Sequence, residues 1–257
     1  MAQPMADGQG EAARGTSGQA LYKIVTRFYL SIMTRKDTII KDADNVLLLE
    51  DIEAFAKKII DGSRESHDWD HTLRVFKLCE RIGAKEGVDM DVVRVAAYLH
   101  DIGRGYQDAS HGAICHAEKG AEMATPIVKA LHLTKQQKDN IIHSIRSHRF
   151  RGNHTPETPE AKVLFDADKL DAIGAVGIAR AYLFAGEVGA RLHNCDIDIE
   201  KTKPYSENDT GYREFKVKLC KIRGRILTQE GRRLADERHE FMEQFFKRFI
   251  KEYEGEG

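Results

Sequence analysis

From Leu21 onward apolar residues recur at intervals of three and four, and runs that alternate between apolar and polar are hard to find, so the pattern predicts helix after helix. Trp69, Leu73, Phe76 and Ile82 fall on one helical stripe, and Met242, Phe246, Phe249 and Tyr253 fall on another near the C-terminus. Both stripes read as core. Thr134 with Gln137 three residues on carries the capping-box pattern, and Thr158 precedes a proline suited to a first helical turn, so helices are predicted to begin near 135 and 159. The segments 152–159 and 193–209, with their Asn, Pro, Ser and Gly content, read as loops. Residues 1–20 have almost no large apolar side chain and are expected to form a disordered tail. The expectation for the remainder, 21–257, is a single all-α domain of about nine helices. Its motif-bearing core spans about 48–190 and its C-terminal helices about 210–254.

Composition narrows the partners. Forty Lys and Arg against 41 Asp and Glu leave a net charge of -1 in 257 residues, so no bulk field favours nucleic acid or anionic lipid, and neither is expected as a partner. The longest weakly charged stretch, 172–186, is shorter than the roughly 20 residues that span a bilayer and carries Arg180. Cys79, Cys115, Cys195 and Cys220 lie far apart without a C-x-x-C pair, and no leader pattern precedes the first helices, which together predict reduced thiols in a cytoplasmic protein.

Three short elements interrupt this apolar background. His67 and His71 are four apart and project from one helical face; alone, such a pair is as readily structural as metal-binding. His100-Asp101 ends an apolar helix, where an imidazole beside a carboxylate is costly to bury unless something binds it, although a helix terminus opening into a turn is the plainer alternative. In the segment 164–171 three carboxylates break an apolar run, with Asp168 and Asp171 on one face and Asp166 pointing elsewhere. Two neutral nitrogens and two carboxylate oxygens suit Mn, Fe, Ni, Co or Zn better than Mg or Ca.

The order His71, His100-Asp101, Asp168 resembles the H…HD…D signature of the HD-domain metal-dependent phosphohydrolases, from about His67 to Arg180. The stretches 66–75 and 166–180 are similar to the small bacterial HD hydrolases that include a nucleoside triphosphate pyrophosphohydrolase. The resemblance implies a single HD-domain helical bundle in which His71, His100, Asp101 and Asp168 hold one divalent transition metal, Mn(II) being favoured. It also implies hydrolysis of a small phosphate compound, with a nucleotide as the favoured substrate. Asp101 or His67 would take the proton from the attacking water. A phosphomonoesterase or phosphodiesterase with the same site, or a non-catalytic metal-binding regulator, are the alternatives.

Some relatives hold a second metal with later histidines, here His116, His143 or His148. One metal is favoured, because the chain lacks an adjacent His-His pair and His143 and His148 would lie about 140° apart on one helix. Arg146, Arg149 and Arg151 surround His148 where a helix should end. They read either as a cationic terminus or, with Arg104 and Lys169, as contacts for phosphate oxygens.

Overall fold

The computed structural model describes residues 43–61, 69–149, 154–194 and 197–256, and all regular structure in them is helical. The predicted tail at 1–20 lies outside the described residues. The helices are α1 (Ala43–Ile60), α2 (Trp69–Glu86), α3 (Met90–Leu99), α4 (Arg104–Ala109), α5 (His116–Ala130), α6 (Lys135–Ser147), α7 (Pro159–Asp171), α8 (Gly174–Glu187), α9 (Gly211–Val217) and α10 (Gln229–Tyr253). Short 3-10 turns lie at Ile199–Lys201, Leu219–Lys221 and Arg223–Arg225. This is the all-α architecture that the periodicity predicts.

Helix α3 is the centre of the bundle. Val92, Val93, Val95, Ala96, Ala97, Tyr98 and Leu99 are all buried, so the helix is apolar nearly all round, and α1, α2, α6 and α7 pack on it. The Asp89 side chain accepts from the backbone N–H groups of Asp91 and Val92 and fixes its start. Its C-cap is His100, so the chain delivers His100 and Asp101 into the interior, where they are 0% and 3% exposed.

The predicted caps form. Thr134 and Gln137 make the reciprocal bonds of a capping box at the start of α6, and Thr158 accepts from Ala161 N with Pro159 in the first turn of α7. On α2, Ile82 is fully buried while Trp69, Leu73 and Phe76 pack at the core margin, Trp69 and Phe76 both stacking on Tyr98. On α10 Met242 and Phe246 are buried, but Tyr253 is 47% exposed; the stripe leaves the core in the last turn, where Tyr253 packs edge-on against His193. Among the described residues no helix is long and apolar enough to cross a membrane, and Cys79, Cys115 and Cys220 are free thiols.

Candidate metal centre

Helix ends build the site. His71 lies in the first turn of α2, His100 caps α3 and Asp101 follows it, His116 opens α5, His148 caps α6, and Asp168 and Asp171 end α7. Gly103 permits the closest of these approaches. A Cβ there would stand 2.3 Å from the His116 carbonyl oxygen and 2.6 Å from Gly120 N, so the turn after Asp101 seats against α5 only with glycine.

The four histidines share one arrangement. Nδ1 of His100 lies 2.7 Å from Ala97 O, Nδ1 of His148 2.7 Å from Ile145 O, Nδ1 of His116 2.8 Å from Gln107 Oε1 and Nδ1 of His71 2.8 Å from Asp171 Oδ2. A carbonyl or carboxylate oxygen can only accept, which puts the proton on Nδ1 and, in the neutral ring, leaves a lone pair on Nε2. Each Nε2 points inward. That of His100 is buried and hydrogen-bonds to nothing. An imidazole held through Nδ1 with Nε2 bare is what metal-ligating histidine requires.

The inward atoms fall into two groups, each within 4.8 Å: His71, His100 and Asp168, and Asp101, His116 and His148. Asp101 faces both. Its Oδ2 is 3.8 Å from His71 Nε2 and 3.9 Å from His100 Nε2, and its Oδ1 is 3.4 Å from His116 Nε2 and 3.5 Å from His148 Nε2. Donors on one ion with bonds of about 2.1 Å lie roughly 3.0–3.4 Å apart when adjacent. The separation of 3.4 Å between His71 Nε2 and Asp168 Oδ1 meets that, and the Asp101 distances need a few tenths of an ångström of closure. The donor set therefore fits a divalent ion.

Charge confirms the polarity of the centre. Burial would lower the His71 imidazole, but the carboxylates of Asp168 and Asp171 outweigh it and lift the pKa to about 9. Burial lowers His100 to about 4 and His116 to about 2, so both are neutral. The carboxyls of Asp101 and Asp168 are held well below the usual range despite burial, the first chiefly by Arg104 and the second chiefly by Lys169.

Several contributors had no role assigned from sequence. Asp171 accepts from His71, from Arg74 Nε at 2.6 Å and from Arg180 Nη1 at 2.7 Å, and so anchors His71 from behind. The three-residue spacing from Asp168 was the available signal, since it puts the two carboxylates on one face. Gln107 gave none. Asp166 faces away from the centre, as the periodicity indicates. It is fully buried and accepts from Leu227 N, Thr228 N and Thr228 Oγ1, capping α10.

Of the residues expected to meet phosphate, Arg104 and Lys169 flank the centre: Arg104 pairs with Asp101, and Lys169 donates to Asp168 and to His148 O. His148 is 1% exposed, with its ring among the inward donors. Arg149 is half-buried near Cys115, whose thiol its charge helps to lower in pKa, whereas Arg146 is exposed in the last turn of α6. His143 leaves the cluster and accepts from Glu157 N. His67 and Arg151 lie outside the described residues.

Known proteins are similar to this chain in sequence and fold. The model of the HD domain family matches residues 68–173. The chain is 34% identical to YpgQ of Bacillus subtilis over 211 residues, covering 80% of this chain and 94% of that protein. Its fold is similar to the crystal structure of B. subtilis YpgQ in complex with ADP, with 32% identity and a TM-score of 0.60 over 81% of this chain and 96% of the other. It is also similar to an HD-superfamily hydrolase from Bacillus thuringiensis, with 28% identity and a TM-score of 0.65 over 82% and 98%.

Proposed function

This chain belongs to the HD domain family of metal-dependent phosphohydrolases, and from that premise we propose that it hydrolyses a phosphoanhydride bond of a nucleotide with one divalent transition metal, Mn(II) being favoured. The ligands in this reading are His71, His100, Asp101 and Asp168. The observation that carries it is the buried, unbonded Nε2 of His100 facing His71, Asp168 and Asp101, a mixed nitrogen and oxygen set of the kind that selects a transition metal. When bound, such an ion supplies Lewis acidity to a phosphoryl oxygen and to the attacking water.

The chain's own residues do the rest. Asp171 holds the His71 ring in register from its far side. Arg104 and Lys169 bring positive charge to the edge of the centre, where they offset charge developing on a phosphate, with Arg146, Arg149 and Arg151 as further contacts. Asp101, with both oxygens engaged and its pKa depressed, is a weak proton acceptor, so we assign that task to His67. A nucleotide is favoured because the similar YpgQ was solved with ADP.

The test is a metal-by-substrate screen on protein stripped and reloaded with Mn, Co, Ni, Zn or Mg. We expect metal-dependent release of pyrophosphate from a nucleoside triphosphate. Orthophosphate from monophosphates, or opening of a cyclic nucleotide, would reassign the enzyme as a phosphomonoesterase or phosphodiesterase. Metal binding without turnover of any of the three would make it a regulator.

A further inference from the structure

Asp101, His116 and His148 form a second inward-facing group, and their spacing is tighter than that of the first. His116 Nε2 and His148 Nε2 are 3.1 Å apart, and Asp101 Oδ1 lies 3.4 Å and 3.5 Å from them. Those are the separations of adjacent donors already seated around one ion with bonds of about 2.1 Å. The three are 3%, 4% and 1% exposed. With Nδ1 of both rings donating outward, both Nε2 atoms face the Asp101 carboxylate and one another, a set of groups that a cation among them would hold together.

The chain supplies that cation. Arg104 Nη2 lies 3.0 Å from each oxygen of Asp101 and 3.2 Å from His116 Nε2. Its side chain is 12% exposed, and it stands at the first position of the six-residue helix α4. We infer that the Arg104 guanidinium fills the pocket of a second divalent cation, so that the chain holds one metal and Arg104 provides the second positive charge beside it. The inference rests on the one-metal reading above, and extends it by naming what keeps the second pocket closed.

Two cations competing for one set of donors exclude each other, so removing one raises the affinity of the other. The experiment is a Mn(II) titration of wild-type protein and of Arg104→Gln and Arg104→Lys, read by equilibrium dialysis with elemental analysis and by electron paramagnetic resonance. Wild type should hold one ion per chain with the signal of an isolated Mn(II). Arg104→Gln should hold two, the second at least about tenfold tighter than in wild type, with the broadened signal of a coupled pair sharing the Asp101 carboxylate. Arg104→Lys, which keeps a charge, should stay at one, and the double variant Arg104→Gln/His116→Ala should return to one. Circular dichroism on each variant establishes that it is folded.

Two ions in wild type would show that Arg104 does not close the pocket. One ion in both wild type and folded Arg104→Gln would show that the pocket takes no metal. Either result overturns the inference; the second leaves the one-metal reading standing, and the first replaces it with a two-metal centre. Failure of the first group as a metal site looks different: wild type would bind no ion at all.

Discussion

Metal binding should be coupled to a single proton, and the coupling should change the apparent affinity about tenfold per pH unit below pH 9. The proton is that on His71. Its pKa is raised from 6.5 to about 9, burial opposing and Asp168 and Asp171 prevailing, so in the metal-free protein at pH 7 the ring is a cation whose Nε2 must deprotonate before it can ligate. The other ligands do not titrate in this window. His100, lowered to about 4, is already neutral, and Asp101 and Asp168 lie well below their ordinary range and are already ionised. From pH 9 to pH 7 the affinity should therefore fall by roughly fiftyfold, or about 2.3 kcal/mol, and above about pH 9 it should level off. The sign follows from a raised pKa: protons and metal compete, and protons win ground as the pH drops. Isothermal calorimetry at pH 7 in two buffers of different ionisation enthalpy should count close to one proton released per ion bound. Asp171→Asn, which removes one of the three carboxylates near the ring, should shift the levelling point to lower pH. An affinity flat between pH 7 and 9, with no proton released, would refute the placement of His71 between Asp168 and Asp171.

Asp168→Ala should lose bound metal and activity while circular dichroism stays helical, since α7 is held by its packing on α2, α3 and α6; retention of one ion with normal turnover would remove Asp168 from the ligand set. Asp166→Ala should keep metal stoichiometry but destabilise the fold by about 3 kcal/mol or more in urea denaturation, because it strips buried donors at the start of α10, each worth about 1–3 kcal/mol when left unpaired. Among single Ala replacements of Arg146, Arg149 and Arg151, a true phosphate contact should lower kcat/KM by on the order of 10 to 150-fold with metal content unchanged. Full activity in all three would reduce the cluster to a cationic helix end and leave Arg104 and Lys169 as the phosphate contacts.

The helix starts were legible in sequence because they are written locally, whereas His71, His100, Asp101 and Asp168 were grouped by their resemblance to the HD signature. Thr134 and Gln137, or Thr158 and Pro159, announce a helix start within four residues, and His100-Asp101 announces itself by breaking an apolar helix. The partners of these residues are set by how helices cross, which no local pattern encodes. His116 and His148 are 32 residues apart and meet because α5 begins where α6 ends, an approach that depends on Gly103 in a different connection. Asp166 shows the converse. Its neighbourhood marks it as an unusual carboxylate but not which of two needs it serves, a metal or the backbone N–H groups leading into a helix that arrives 61 residues later.

Charge balance explains how so polar a cluster survives burial before any metal arrives. The carboxylates of Asp101, Asp168 and Asp171 each meet a cation of the chain, in Arg104, Lys169, and Arg74 with Arg180 respectively, and His71 adds a proton between two of them. A buried ion cluster of this kind gives little net stability, but removing one member leaves an uncompensated charge that costs several kcal/mol, so its members hold one another in place. The centre is thus assembled by the fold rather than by the ion. A metal bound here would take the place of the His71 proton on donors already turned toward it, so its binding should be read as affinity and proton release more than as folding.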